Sequence, residues 1–174
     1  MIQVRPFTDE QSRLLINLRQ RYEVWMGAEQ ELAAMPYDLR RKTVTGSVYL
    51  YEIRDRSGNG KSLGKLDATR EARFDEYHAR KDALKAQIKG LRPALAESAA
   101  LYRALRLPML SSEAGPILRE CDRRHLLGSH LMVVGTNAIT AYMIEANGSI
   151  ALPDETEDFD LAWVAETPDD AERR

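Results

Sequence analysis

The sequence predicts an α+β fold, and three of its patterns indicate this class. Apolar residues recur at helical spacing over residues 8–34 and again along the charged stretch 68–106. Between them, SVYLYEI is rich in β-branched and aromatic residues, and the turn signal RSGNG follows it. We therefore predict four segments: a helical N-terminal segment (1–42), a small basic β-hairpin (43–66), a helical arm (67–108) and the first part of an α/β core (109–174).

The first helix has recognisable ends. Thr8 or Asp9 can cap its start, since both side chains accept hydrogen bonds from first-turn N–H groups. Gly27 is expected to break or end it, and Pro36 favours a stop nearby.

The hairpin is predicted to be antiparallel, with KTVTG as a possible third strand. In the arm, Gly90 and Pro93 leave open either a kink or a helical hairpin. Its apolar face is narrow, which indicates an exposed, coiled-coil-like helix and allows a homodimer through it. That face comprises Phe74, Tyr77, Leu84, Ile88, Leu91 and Leu95.

After the arm, the sequence predicts a helix over SSEAGPILRECDRRHLL, with Ser111 or Ser112 as its cap and Gly128 beyond its end. HLMVV is predicted to be a buried strand, and GTNAITAYMIEA a turn followed by a helix. DFDLAWV is predicted to be a further strand.

Charge is unevenly distributed along the chain. Residues 40–65 contain seven basic and two acidic residues, whereas residues 151–174 contain nine acidic and two basic ones. The basic hairpin, with Tyr49 and Tyr51, could bind RNA or DNA through phosphate contacts and base stacking. The alternative is a solvated hairpin whose tyrosines pack on the neighbouring helix. The candidate nucleic-acid-binding residues are Arg40, Arg41, Lys42, Arg54 and Lys61.

The sequence gives no indication of a membrane protein. It has neither an apolar run of about 20 residues, which a membrane span needs, nor an apolar signal-peptide core. Cys121 is the single cysteine, which excludes an internal disulfide. We therefore expect a cytoplasmic protein.

Two motifs in the last third of the chain carry the candidate chemistry. In TEDFDLAW, Asp158 and Asp160 would share one face of a strand. Either a divalent cation or a solvated strand edge would explain that pair. In VVGTNA, an apolar strand is followed by Gly135 and Thr136 at a predicted helix start, where backbone N–H groups favour an anion. Together the motifs could hold magnesium against nucleotide phosphates.

These motifs resemble those of the DNA polymerase β-like nucleotidyltransferases. The matching positions are Val134, Gly135 and Thr136, followed by Asp158-Phe159-Asp160-Leu161. The wider run from DLRRKTVTGSVYLYE to TEDFDLAW is similar to a bacterial subgroup of nucleotidyltransferase-domain proteins, in which a basic hairpin and a helical arm precede the catalytic core. The resemblance covers most of residues 37–163.

The resemblance implies Mg²⁺-dependent (or Mn²⁺-dependent) transfer of a nucleotidyl group from an NTP to an acceptor that is RNA, protein or a small molecule. Asp158 and Asp160 would be the catalytic residues and metal ligands, and Gly135, Thr136 and Asn137 would contact the triphosphate. The chain departs from the family pattern in having Gly-Thr instead of Gly-Ser and a spacer of 21 residues between Thr136 and Asp158.

A third catalytic carboxylate is not evident in the sequence. The acidic residues that remain for that role are Glu166, Asp169, Asp170 and Glu172. The chain is therefore expected to stop partway through the catalytic fold. The alternative is a non-catalytic nucleic-acid-binding or interaction protein that uses the basic hairpin and the arm.

Overall fold

Four helices and three small antiparallel sheets form the part of the chain that the structure, a computed structural model, describes: residues 4–150 and 159–164. This confirms the α+β class. The chain divides into two compact units. We call residues 27–91 the central unit, and residues 1–26 with 92–174 the terminal unit. None of the described helices is long and apolar enough to cross a membrane.

Helix α1 (Asp9–Ala34) begins where the sequence predicts. Thr8 Oγ1 accepts a hydrogen bond from the Gln11 backbone N–H at 3.2 Å, and Gln11 Oε1 accepts one from the Thr8 N–H at 2.9 Å. This reciprocal pair is a capping box. The predicted break at Gly27 is wrong, because α1 continues through it between the buried side chains of Met26 and Ala28. Their burial outweighs the roughly 1 kcal/mol that glycine costs a helix.

The central unit contains a three-stranded antiparallel sheet in chain order: β2 (Asp38–Val44), β3 (Ser47–Ile53) and β4 (Gly60–Lys65). The third strand is therefore present, but β2 begins at Asp38 rather than at Lys42, where the predicted strand KTVTG starts. The start of β2 is hard to predict from the sequence because Arg40–Lys42 are basic, and basic side chains are less common in strands. Thr45 and Gly46 have positive φ values of 47° and 77°, which suit the tight turn joining β2 to β3.

One face of this sheet packs against α2 (Ala68–Ala104). Leu39, Leu50 and Tyr77 form a buried cluster, and the Tyr77 hydroxyl donates to the Pro36 carbonyl at 2.8 Å. Burial raises the pKa of Tyr77 to about 12. Partly buried side chains surround the cluster: Met35, Leu63, Leu66 and Phe74.

The prediction of an exposed arm is wrong. Tyr77, Leu84 and Ile88 on its apolar face are all buried within this one chain. A homodimer through the arm would therefore need a different face of α2. The arm is also one continuous helix and not a helical hairpin, since α2 runs through Pro93.

In the terminal unit, side-chain hydrogen bonds join elements that are distant in sequence. Arg21 Nη1 donates to the fully buried Ser98 hydroxyl at 2.6 Å, which links α1 to α2. The Tyr22 hydroxyl donates to Asp122 Oδ2 of α3 (Ala114–Arg123) at 2.8 Å. Burial, followed by that hydrogen bond, raises the pKa of Tyr22.

Helix α3 ends earlier than predicted. Its end is a Schellman motif in which His125 has φ 55° and the Leu126 N–H donates to the Cys121 carbonyl at 2.9 Å. His125 therefore takes the left-handed position that the sequence assigns to Gly128. At the other end, the predicted cap is wrong: the N-cap is Glu113, although the Ser111 hydroxyl just before it accepts from the Ala114 N–H at 3.2 Å.

The remaining elements of the terminal unit are short. They are β1 (Arg5–Pro6), β5 (Leu131–Val134), α4 (Thr136–Glu145), β6 (Gly148–Ser149) and β7 (Asp160–Trp163). β1 pairs with β6, and β5 pairs with β7, both antiparallel. The prediction that β5 is a buried strand is wrong, because Met132 is 53% exposed.

Candidate functional site

Strands β5 and β7 bring the two predicted motifs together. In their antiparallel register, Val134 lies directly opposite Asp160 and Val133 opposite Leu161. The sequence-based hypothesis requires these strands to be neighbours, and the structure confirms that they are. Gly135 and Asp160, far apart in the chain, meet at one end of the strand pair.

The Gly135 turn has a backbone conformation that only glycine adopts readily. Its φ is 70° and its ψ is −157°, a region that is strained for residues with a Cβ atom. A Cβ placed on Gly135 would lie 2.9 Å from Asp160 Oδ2. The missing side chain therefore lets the Asp160 carboxylate approach the backbone of the turn.

Helix α4 begins immediately after this turn. Gly135 is its N-cap and Thr136 is its first residue. The first turn contains no acidic residue of its own. The Asp160 carboxylate is consequently the negative charge beside the positive end of the α4 dipole.

The candidate residues differ in accessibility. Gly135, Thr136 and Asp160 are exposed, whereas the Asn137 side chain is buried and 8% exposed. A ligand in solvent could therefore reach the first three directly. The Asn137 side chain is therefore not presented to solvent, although the sequence predicts that it contacts the triphosphate.

The alternation predicted for the aspartate strand holds only for Asp160, which is exposed, and Leu161, which is partly buried; Ala162 and Trp163 do not follow it. Trp163, on the Leu161 side, is 52% exposed and makes an edge contact with the His130 ring at 6.2 Å between centroids. Sequence reasoning did not anticipate this contact, because His130 lies before β5 and Trp163 at the end of β7.

Asp158 lies outside the described residues, as do the four candidate third carboxylates, Glu166, Asp169, Asp170 and Glu172. Within the described ranges, no three His, Cys, Asp or Glu side chains are grouped closely enough to hold a metal ion. The exposed carboxylate oxygens of Asp160, at the glycine turn, are donors of the kind that a hard cation such as Mg²⁺ prefers.

The five predicted nucleic-acid-binding residues do not share one surface. Arg41 faces α2, where its guanidinium lies 3.4 Å from both Glu71 and Asp75. Lys61 also lies on that side and is 3.4 Å from Glu52. Arg54 follows β3, and its backbone N–H donates to the Asn59 carbonyl.

Arg40 and Lys42 lie on the opposite side of the sheet. The Lys42 ammonium is 4.7 Å from the centroid of the Tyr51 ring. Arg40 Nε is 2.7 Å from Asp38 Oδ2. Burial raises the pKa of Asp38, but Arg40 and other nearby cations outweigh this, so that its pKa is lowered overall.

Comparisons of the chain with protein-family models, with curated proteins and with solved structures find no match. Any functional hypothesis must therefore come from the residues and their geometry.

Proposed function

We propose that the Gly135–Asp160 end of the strand pair binds a nucleoside triphosphate with Mg²⁺ or Mn²⁺ and transfers its nucleotidyl group to an acceptor hydroxyl. The observation that supports this most is the pairing of β5 with β7, which places Asp160 against the glycine turn that begins α4. We expect the protein to act in the cytoplasm.

Each residue of the site has a distinct role in this proposal. Gly135 leaves room for a phosphate close to the backbone, and the Thr136 hydroxyl can bond to a phosphate oxygen. Asp160, with Asp158, would hold the cation, which when bound neutralises triphosphate charge and supports departure of pyrophosphate.

The position of Asp160 determines what a nucleotide needs in order to bind beside it. A triphosphate that approaches α4 is attracted by the helix dipole but repelled by the adjacent carboxylate. A divalent cation held between carboxylate and phosphate removes that repulsion. Nucleotide binding at this end of the strands should therefore require a divalent cation.

The proposed reaction is a substitution at the α-phosphorus. The acceptor hydroxyl oxygen bonds to that phosphorus, the bond to the β-phosphate oxygen breaks, and the hydroxyl proton is released to solvent. The acceptor is RNA, protein or a small molecule.

A titration calorimetry experiment tests the proposal. ATP, GTP, CTP and UTP are each titrated into the full chain with Mg²⁺ and with EDTA. We expect binding only with Mg²⁺, and we expect Asp160→Asn to lose most of it because a carboxamide is a poor ligand for Mg²⁺. The control is Asp82→Asn, which removes an equal charge from a side chain that is 77% exposed on α2.

The Thr136 hydroxyl gives a finer readout in the same experiment. Thr136→Ser should bind normally, and Thr136→Ala should lose about 0.5–1.5 kcal/mol, the usual net contribution of one hydrogen bond. Transfer itself is measured with labelled nucleotide and RNA, protein and small-molecule acceptors. Equal, Mg²⁺-independent binding by wild type and Asp160→Asn would contradict the proposal.

A further inference from the structure

The sheet of the central unit has a second face, opposite the one that packs on α2. Cross-strand pairing defines it: Lys42 lies opposite Tyr49, Arg40 opposite Tyr51, and Tyr49 opposite Lys65. We call these five residues, Arg40, Lys42, Tyr49, Tyr51 and Lys65, the outer face. The cation–π contact of Lys42 with Tyr51 confirms that side chains of neighbouring strands meet there.

The basic side chains on the two faces of the sheet differ in how many carboxylates lie within ion-pair distance of them. On the α2 side, Arg41 lies near two carboxylates, and Glu52 is within ion-pair distance of both Lys61 and Arg73. On the outer face, Arg40 is paired with Asp38. Within the described residues, neither Lys42 nor Lys65 has a carboxylate within 4 Å. The outer face therefore carries net positive charge that its own acids do not neutralise.

The aromatic rings lie among these cations. Tyr49 and Tyr51 are partly exposed, and the basic side chains around them are exposed. Residues two apart on a strand point the same way and are about 7 Å apart. The outer face thus has two neighbouring rings bordered by lysine and arginine.

We propose that the outer face binds single-stranded RNA, a function separate from nucleotide binding at Gly135 and Asp160. Phosphates would pair with Lys42, Lys65 and Arg40, and bases would stack on the two tyrosines. A base stacked on Tyr51 would displace the Lys42 ammonium, which can then reach the adjacent phosphate.

Charge and chemistry favour this occupant over others. A polyanion complements the uncompensated lysines, and only an unpaired strand offers its base faces to the rings. Hydroxyl groups of Ser47, Ser62 and the tyrosines lie on the same face, where they can bond to ribose 2′-hydroxyls. DNA lacks those hydroxyls, and an acidic peptide lacks bases.

The test is fluorescence anisotropy with the full chain and fluorescein-labelled U20 RNA over a range of salt concentrations. Lys42→Gln with Lys65→Gln should weaken binding and reduce the magnitude of the slope of log K against log salt by about 1.4, since each cation contributes about 0.7 on a single strand. Tyr51→Leu should weaken binding about tenfold by removing one stacking platform.

A matched variant provides the control. Arg41→Gln with Lys61→Gln removes the same charge from the α2 side and should leave binding and slope nearly unchanged. If that double variant does not fold, as judged by circular dichroism, Lys61→Gln alone replaces it. Asp160→Asn should bind U20 as wild type does, which separates this proposal from nucleotide transfer.

Three results would overturn the inference. The first is equal loss of affinity in the outer-face and α2-side variants. The second is binding of dT20 as tight as that of U20, which would remove the role of the 2′-hydroxyls. The third is competition by polyglutamate as effective as that by unlabelled U20, which would reduce the surface to a general polyanion site.

Discussion

The two units build their sheets in opposite ways. In the central unit, β2, β3 and β4 follow one another and pair in chain order. In the terminal unit, β5 and β7 pair across an intervening helix and another strand. Turn residues such as Gly46 specify the pairing of consecutive strands. The pairing of β5 with β7 depends instead on contacts between segments that are distant in the sequence. The three-stranded sheet is therefore local, and the candidate chemistry lies on the non-local pair.

Burial follows the same division. Leu50 on β3 is 0% exposed and lies in the cluster with Leu39 and Tyr77. Leu161 on β7 is only partly buried. Since the cost of removing a side chain depends on how completely it is buried, these two leucines should differ strongly when truncated.

The largest expected effect is that of Leu50→Ala. Truncating a fully buried leucine costs about 2–5 kcal/mol of unfolding free energy, and Leu161→Ala should cost less than half as much. Urea unfolding measures both. Far-UV circular dichroism reports both units, whereas fluorescence of Trp25 and Trp163 reports only the terminal unit. A Leu161→Ala variant as destabilised as Leu50→Ala would remove the contrast between the two sheets.

Local signals account for much of what the sequence predicts correctly. Thr8 begins α1, RSGNG separates two strands, and the turn at Gly135 precedes a helix, each through interactions within a few residues. The errors have tertiary causes. Gly27 remains helical within α1 because the neighbouring side chains are buried. Helix α2 is not an exposed arm because residues of its narrow apolar face are buried.

The candidate site was predictable only in part. The glycine turn and the aspartate strand are visible as motifs, and their adjacency was a requirement of the hypothesis that the structure then met. The division of Arg40 and Lys42 from Arg41 and Lys61 was not foreseen. This division depends on which residues of each strand point to which face of the sheet. For β2 that assignment requires knowing that the strand begins at Asp38 and that Leu39 faces the core.

The second prediction compares the glycine turn between β2 and β3 with the glycine turn between β5 and α4. Gly46 and Gly135 both have positive φ, but a Cβ on Gly46 meets nothing within 4 Å, whereas one on Gly135 meets Asp160 Oδ2 at 2.9 Å. Gly135→Ala should therefore cost about 1–3 kcal/mol of unfolding free energy, since its φ and ψ are suited to glycine alone. Gly46→Ala should cost about 1 kcal/mol, the left-handed penalty without a clash.

The Asp160 contact can be isolated by a double variant. Gly135→Ala with Asp160→Gly removes the close approach but leaves the backbone strain, so stability should recover only in part. By the same reasoning, Gly135→Val should strain the turn as well as hinder a phosphate from approaching the backbone. Full recovery in the double variant would mean that the turn itself is unstrained.

The smallest effect expected is that of Thr8→Ala, and it separates local from long-range contributions within one helix start. Thr8 acts only in the capping box, while Gln11 Nε2 also donates to the Leu105 carbonyl at 2.9 Å. Thr8→Ala should cost about 1 kcal/mol of unfolding free energy, the typical loss of an N-cap. Gln11→Ala should cost about 1 kcal/mol more, because it also removes the bond to Leu105. Trp25 fluorescence during urea unfolding measures both variants, and equal costs would show that the bond to Leu105 adds no net stability and that the helix start is stabilised by its local cap alone.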